Sequence, residues 1–216
     1  MYNKYFKHEK GITGLETAII LIAFVVVAAV FAYTALSAGL FSTQKAQEAV
    51  YSGLKEAQST LELRGGIIAT ANSTGADGNI KQLTFVVSNV LGGEPVDFTA
   101  PDPDLVGNSG IAADGSPNKV VINYIDSNKT VTNLYWTMLP LGTTDGDDLL
   151  ETGEKFEITI GSNLWHAGGG NLMDALDPNY LSVNDTFTLE ILTPVGAVLV
   201  IERTTPPYID TKMNLR

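Results

Sequence analysis

The pattern of apolar and polar positions changes twice along the chain, and each change predicts a different element. Residues 12–41 are almost continuously apolar, and Glu16 is the only charged residue among them. As a helix, this run of about 30 residues extends roughly 45 Å, which exceeds a hydrocarbon core of ~30 Å. The run therefore predicts a helix that crosses a membrane or associates with other helices.

Beyond residue 41 the apolar run becomes a stripe. Apolar and small residues recur there at spacings of three and four: Ala46, Val50, Gly53, Leu54, Ala57 and Leu61. The pattern predicts one helix from Ile12 to Arg64, about 80 Å long, which Gly65-Gly66 would end. Such a helix cannot bury its first half against one small domain, so it needs lipid or copies of itself.

Small residues within the helix are the candidate contacts between copies. Pairs spaced by four let neighbouring helices approach closely, and the later stripe extends the same surface. Glu16 would cost about 2.5–3.5 kcal/mol near the centre of a membrane, which favours a functional role. The candidate assembly residues are Glu16, Ala28, Ala32, Ala35, Gly39, Ala46, Val50 and Leu54.

From Ile67 onward the apolar period becomes two, which is typical of strands with one buried face. Inward-facing sets are predicted at 83–87, 120–124, 156–160 and 187–191, and residues 197–202 are predicted as the last strand. Seven or eight short strands separated by polar turns predict an immunoglobulin-like antiparallel β-sandwich. The predicted fold class is therefore α+β, a long N-terminal hydrophobic α-helix followed by this β-sandwich.

A short basic segment precedes the apolar run. It contains Lys4, Lys7 and Lys10, and its small-residue site, Lys10-Gly11, stands before the apolar residues. In a secretory signal the cleavage site follows them instead. The lysines predict that the N-terminus stays in the cytoplasm while the rest of the chain is exported.

Lys10-Gly11, followed by Ile-Thr-Gly-Leu-Glu and an alanine- and valine-rich helix, resembles the leader of type IV pilin-like proteins. The stretch GLETAIILIAFVVVAAVFAYTALSAGLFSTQKAQE closely resembles the N-terminal helix of archaeal flagellins (archaellins). More weakly, GAVLVIERTTPPYID resembles their last strand. The resemblance implies that a membrane aspartic peptidase of the type IV prepilin class cuts between Gly11 and Ile12. It also implies that Glu16 pairs with the new N-terminal amine.

The resemblance further implies a domain organisation and a function. Residues 1–11 would be a cleaved leader, residues 12–64 an assembly helix, and residues 65–216 an extracellular β-sandwich domain. The chain would be a structural subunit of the archaeal flagellum filament, which serves swimming motility. Its partners would be copies of itself, other flagellins, the leader peptidase, and membrane lipid while the precursor is in the cytoplasmic membrane.

Two alternatives stay open at this point. One is an archaeal type IV adhesion pilin, which shares the leader and the helix but acts in surface attachment. The other is a cell-surface binding domain held by a single membrane span. That second alternative predicts an intact N-terminus and a helix that ends near residue 40.

Composition narrows the remaining classes of function. The net charge of −11, from 24 acidic and 13 basic residues, argues against nucleic acid as a partner because phosphate requires a basic surface. The absence of cysteine excludes disulfides and thiolate metal sites. His166 is the only histidine beyond the leader, and the nearby glycine run 168–170 lacks the lysine of a phosphate loop. We expect no enzyme activity and no cofactor.

Three acceptor sequons make Asn72, Asn128 and Asn184 candidates for N-glycosylation. Each lies in or next to a predicted loop, and the archaellin resemblance makes occupation by a glycan an expectation. The acidic segment 145–157 does not fit an EF-hand, because Leu150 and Phe156 occupy the positions that require glycine and glutamate. We interpret the segment as a solvated connection and predict no metal site.

Overall fold

The computed structural model describes residues 14–58, 60–90, 94–107, 109–162 and 168–215. The chain divides into two compact units, Met1–Tyr51 and Ser52–Arg216. In the described residues, the first unit is entirely helical, and the second contains the end of this helix followed by β-strands and one short helix.

Helix α1 runs from Gly14 to Gln58, a length of 45 residues or roughly 68 Å. Every residue from 14 to 54 is exposed in the single chain. By length and composition, Gly14–Leu54 could cross a membrane. The predicted long apolar helix is therefore present.

The strands and the short helix follow in chain order: β1 Leu61–Leu63, β2 Ile67–Ser73, β3 Asn79–Asn89, β4 Val96–Asp97, β5 Val121–Asp126, β6 Thr130–Val131, β7 Trp136–Leu141, β8 Leu149–Leu150, β9 Lys155–Ile160, α2 Leu172–Leu176, β10 Thr186–Leu192, β11 Leu199–Thr204 and β12 Lys212–Leu215. All pairings between these strands are antiparallel. One sheet has the order β12-β2-β3-β9-β7, with β1 also paired to β3, and another has the order β11-β10-β5-β6. Strands β4 and β8 form a separate ribbon.

The two larger sheets contribute to one hydrophobic core. The inward-facing sets predicted on β3, β5, β9 and β10 are all at most 1% exposed. Phe98 packs edge-on against Trp136 and Phe156, with ring centroids 5.9 and 5.8 Å away, and Tyr124 stacks on Phe187 at 5.9 Å. The predicted class, a long apolar helix followed by antiparallel sheets, is confirmed.

The predicted end of the helix is wrong. Helix α1 ends at Gln58 rather than Arg64, because Leu61–Leu63 instead pairs with β3 as strand β1. Leu61 fits the helical stripe by its spacing, but it is only 3% exposed in the core of the sheets. Gly65-Gly66 therefore connects β1 to β2, and the φ of +90° at Gly65 explains the need for glycine in this turn.

Pairing with β1 also explains one local departure from strand alternation. Alternation along β3 places Ser88 on the face opposite Val87, yet both residues are buried. It lies opposite Glu62 of β1, and its hydroxyl accepts a hydrogen bond from Arg64 Nε at 2.8 Å. Arg64 thus joins the sheet instead of stabilising the last turn of a helix.

The predicted last strand is followed by another. Strand β11 covers Leu199–Thr204, close to the expected 197–202, and β12 then pairs with β2. β12 has only four residues, and only Leu215 among them is fully buried. Such a short pattern carries too little periodicity to predict a strand from sequence alone.

Candidate assembly surface

Small residues form a narrow stripe on α1. Successive residues of an α-helix are rotated by about 100°, so the stripe members fall within an arc of about 60°: Ala28, Ala32, Ala35, Gly39, Ala46 and Val50. Leu54 lies about 40° to one side of this arc. All of them are exposed, and no atom lies within 4 Å of a Cβ placed on Gly39. The stripe is therefore a surface on which another helix backbone can approach closely.

The opposite side of the same helix carries most of the polar side chains between residues 33 and 52, together with Phe41. The hydroxyl, amide and charged side chains on this side are Tyr33, Thr34, Ser37, Gln44, Lys45, Glu48, Tyr51 and Ser52. Lys45 and Glu48 form an exposed ion pair at 2.6 Å, of a kind that contributes only about 0.3–0.5 kcal/mol. This polar face was not among the features predicted from the sequence, although the same helical rotation applied to the polar positions would have found it.

Exposed apolar side chains dominate α1 as a whole. Eighteen large apolar residues between positions 15 and 54 are 51–74% exposed. Full burial of one such side chain stabilises by about 1.5–3 kcal/mol. Covering the helix with lipid or with other helices is therefore favourable by tens of kcal/mol before entropic costs, by this same estimate.

Glu16 lies in the first turn of α1 and is exposed. A carboxylate at this end of a helix interacts favourably with the helix dipole. Lys10, Gly11 and Ile12, the predicted cleavage residues, lie outside the described residues, and so does His166. The pairing of Glu16 with an amine on Ile12 stays a prediction.

The three candidate glycosylation sites are all exposed. Asn72 lies in β2 where the register with β3 shifts between its neighbours, and such a bulge turns a side chain away from the regular ladder. Asn128 lies in the turn between β5 and β6, where its backbone N–H donates to Asp126 Oδ1. Asn184 lies in a tight turn before β10 with a φ of +56°. Each site leaves space for a glycan, and occupation stays a prediction.

Carboxylates of the acidic segment 145–157 bind its own backbone. Asp147 Oδ1 accepts from the Leu149 N–H at 2.9 Å, and Glu154 Oε2 accepts from the Glu151 N–H at 3.1 Å. These bonds fix turns in the connection from β7 to β9. Among the described residues, no cluster of three or more histidine or acidic side chains is arranged to hold a metal ion.

A buried tyrosine is the most strongly perturbed ionisable group of the β-strand unit. Burial raises the pKa of Tyr124 far above its usual value, and the hydrogen bond from its hydroxyl to Asp126 Oδ2 at 2.8 Å raises it further. Its ring lies in the core against Phe187. The hydroxyl therefore serves as a structural donor inside the fold.

Comparison with known proteins places these features in one family. The profile of archaeal-type flagellins matches residues 11–203. Probable flagellin 1 of Archaeoglobus fulgidus is 39% identical over 220 residues, which cover 98% of each chain. Probable flagellin 1 of Aeropyrum pernix is 32% identical over 215 residues, covering 95% of this chain and 96% of the relative.

Two solved structures are similar to this fold. The archaeal flagellum of Methanospirillum hungatei strain JF1 superposes with a TM-score of 0.61 at 31% identity, covering 94% of this chain and 99% of that chain. The crystal structure of archaeal flagellin FlaB1 from Methanocaldococcus jannaschii gives a TM-score of 0.51 at 13% identity, covering 72% of this chain and 95% of that chain. The second likeness concerns the fold alone.

Proposed function

Because this chain belongs to the archaeal-type flagellin family and is a structural subunit of the archaeal flagellar filament, we propose that helix α1 carries its assembly. The exposure of every residue from 14 to 54 is the observation on which the proposal rests. Copies of α1 cover one another's apolar side chains in the filament core. The small-residue stripe, which includes Ala28 and Ala32, sets the distance of closest approach.

Before assembly, the same helix holds the precursor in the cytoplasmic membrane. The length and composition of Gly14–Leu54 support this stage, and Lys4, Lys7 and Lys10 orient the chain with its N-terminus in the cytoplasm. A peptidase of the type IV prepilin class then cuts after Gly11. Cleavage removes the three lysines and creates the amine on Ile12 that pairs with Glu16.

Residues beyond α1 form the extracellular part of the subunit. The acidic composition favours solubility outside the cell, and exposed Asn72, Asn128 and Asn184 accept N-linked glycans. Other flagellins of the same cell are candidate co-subunits. The chain acts as a building element, and we assign it no catalytic role and no cofactor.

One alternative from the sequence fits the structure less well. A single-span anchor predicts a helix that ends near residue 40, whereas α1 continues to Gln58. A swimming filament and an adhesion pilus require a cellular experiment to separate them, and the family membership favours the filament.

The first experiment is mass analysis of the chain in filaments sheared from cells. We expect an N-terminus at Ile12. A chain that still begins at Met1 would overturn the proposed cleavage of the leader. Gly11→Val should block cleavage and leave the chain in the membrane. Gly14→Val makes the same chemical change three residues later, where no atom lies within 4 Å of the added Cβ, and cleavage should continue.

A deletion strain separates motility from attachment. We expect the strain to lose swimming in soft agar and to retain surface adhesion. Complementation by the intact chain should restore swimming and leave adhesion unchanged. Loss of adhesion with normal swimming would instead identify an adhesion pilus. An identical experiment with Gly11→Val links the phenotype to assembly of the subunit.

A further inference from the structure

The β-strand domain, residues 60–215, has a hollow on the outer face of the sheet β12-β2-β3-β9-β7. This hollow, which we call the outer groove, has a volume of about 550 Å³. Sites that bind a small molecule usually have volumes of about 300–1,000 Å³. All five of these strands contribute to its lining, and no residue of α1 does. The groove is therefore separate from the helix that carries the proposed assembly.

Most of the side chains that line the outer groove are polar. The strand register places Lys212, Thr70 and Gln82 in one row across β12, β2 and β3. Thr84 lies on β3 beyond this row, and its hydroxyl is 3.3 Å from that of Thr159 on β9. The groove thus offers several hydrogen-bonding groups on neighbouring strands.

Apolar surface and a carboxylate lie beside these groups. Ile68 and Leu139 line the groove and are each 36% exposed. Glu157 lies opposite Leu139 in the strand register and adds a hydrogen-bond acceptor. A sugar ring carries hydroxyl groups at its edge, which donate and accept hydrogen bonds, and C–H groups on its faces, which pack on apolar side chains. The mixed lining therefore fits an oligosaccharide better than a purely apolar ligand.

Two positive charges lie toward one end of the outer groove. Lys81 precedes Gln82 on β3, and Lys212 pairs with Thr70 in the register. Within the described part of the chain neither ammonium group forms an ion pair, although the net charge of the whole chain is −11. Charged hydrogen bonds from lysine to a carboxylate are stronger than neutral ones. This end of the groove therefore favours a ligand with an acidic group.

The candidate glycosylation site Asn72 lies at the same end. Burial alternates along β2, because Ala69 and Ala71 are buried whereas Thr70 is half-buried and Asn72 is exposed. Asn72 therefore faces outward on the same side as Thr70, about 7 Å further along the strand. Asn128, by contrast, lies in a turn of the other sheet. A glycan on Asn72 would begin beside the two lysines.

We propose that the outer groove holds an oligosaccharide that is linked to Asn72 of the same chain and carries an acidic sugar. The covalent link keeps the oligosaccharide at an effective concentration on the order of millimolar, so weak contacts with the groove are enough to hold it. Lys81 and Lys212 pair with the acidic sugar. The proposal rests on the proposed glycosylation of an extracellular filament subunit, and it gives the glycan a fixed place on that subunit.

Amine-reactive labelling of sheared filaments tests this arrangement. Lys212 should react severalfold more slowly in the natural chain than in Asn72→Gln, because the glycan covers its ammonium group. Thr74→Ala removes the same sequon, keeps Asn72 and should have the same effect. Asn128→Gln is the matched control, which removes a candidate glycan from the other sheet and should leave the labelling of Lys212 unchanged. Lys119, which is exposed and does not line the groove, is the internal reference.

Mass analysis of the peptide that contains Asn72 separates the possible failures. A peptide of unmodified mass would overturn the proposal by removing its ligand. A glycosylated peptide, with equal labelling of Lys212 in the natural chain and in Asn72→Gln, would overturn the groove as its place. Protection that disappears when filaments dissociate into subunits would contradict a site on the same chain. All three results leave the filament function intact, whereas absence of the chain from cell-surface filaments would overturn that function.

A double-mutant cycle tests the charge of the groove. In subunits dissociated from filaments, Asn72→Gln should lower the melting temperature of the β-strand domain. In the background Lys81→Glu/Lys212→Glu this loss should shrink or change sign, because the acidic sugar then faces carboxylates. Lys119→Glu/Lys155→Glu makes the same change in net charge at exposed lysines outside the groove lining, and the loss should persist there. Equal losses in the two backgrounds would refute the pairing of the groove lysines with an acidic sugar.

Discussion

Replacing Ala32 by leucine separates the two environments that helix α1 is proposed to occupy. Ala32 lies in the small-residue stripe and is exposed in the single chain, so leucine has room there. The helix propensities of alanine and leucine are close. Leucine also favours lipid, by about 0.3–0.6 kcal/mol on insertion scales. The membrane stage should therefore tolerate Ala32→Leu or gain slightly from it.

The filament should not tolerate the same change. Added methyl and methylene groups in a well-packed contact cost about 1–3 kcal/mol, and the closest helix approach is expected at this stripe. The cost corresponds to an association constant about 5- to 150-fold lower for each subunit. Shorter filaments and a lower dissociation temperature should result, while precursor levels in the membrane stay normal.

Ala23→Leu is the matched control. Ala23 precedes Ala32 by nine residues, which is two and a half helical turns, so it lies on the opposite side of α1. The dissociation temperature of sheared filaments, followed by light scattering and electron microscopy, should fall for Ala32→Leu and change little for Ala23→Leu. Equal losses for both variants, or no loss for Ala32→Leu, would refute the stripe as the closest contact.

Three further predictions concern the β-strand domain. Phe98→Ala should destabilise it by about 3–5 kcal/mol and lower its melting temperature in near-UV circular dichroism by roughly 6–20 °C, and unchanged melting would contradict its place in the core. Burial and Asp126 raise the folded-state pKa of Tyr124, so the folded state keeps the hydroxyl proton to a higher pH than the unfolded state. The free energy of unfolding should therefore be unaffected below about pH 10 and fall above it. Tyr124→Phe should flatten that decline. Asn128→Gln and Thr130→Ala should each remove the same glycan mass from the tryptic peptide, and a natural peptide of unmodified mass would exclude this site.

Periodicity predicted the main elements because their patterns are long. The apolar run of α1 and the alternating sets on β3, β5, β9 and β10 each repeat often enough to fix the element and its buried face. Where the pattern is short, two elements compete for the same residues. Leu61 fits a helical stripe and a buried strand equally, and only its pairing with Asn89 decides for the strand.

The candidate surface residues also divide into those that the sequence predicts and those that it does not. Stripe residues such as Ala32 and Gly39 could be found from sequence because helical spacing alone places them on one side. The exposure of Leu105 and Val106 could not be predicted, since two consecutive apolar residues in a turn are as consistent with burial as with exposure. In the structure, Asp104 Oδ1 accepts hydrogen bonds from the N–H groups of Val106 and Gly107, and both apolar side chains are exposed.

The distribution of charge along α1 indicates how the helix could pass from lipid to filament. Residues 14–41 contain a single charge, at Glu16, and as a helix they extend about 42 Å, enough to cross the hydrocarbon core. Lys45 and Glu48 pair on the surface of the next turn, where burial in lipid would be costly. In the proposed membrane precursor, the second part of α1 would therefore stay in water while the first part is still in the membrane. Contacts between subunits can begin along Ala46 and Val50 before extraction, so that each turn of helix leaving lipid is covered at once by a neighbouring copy.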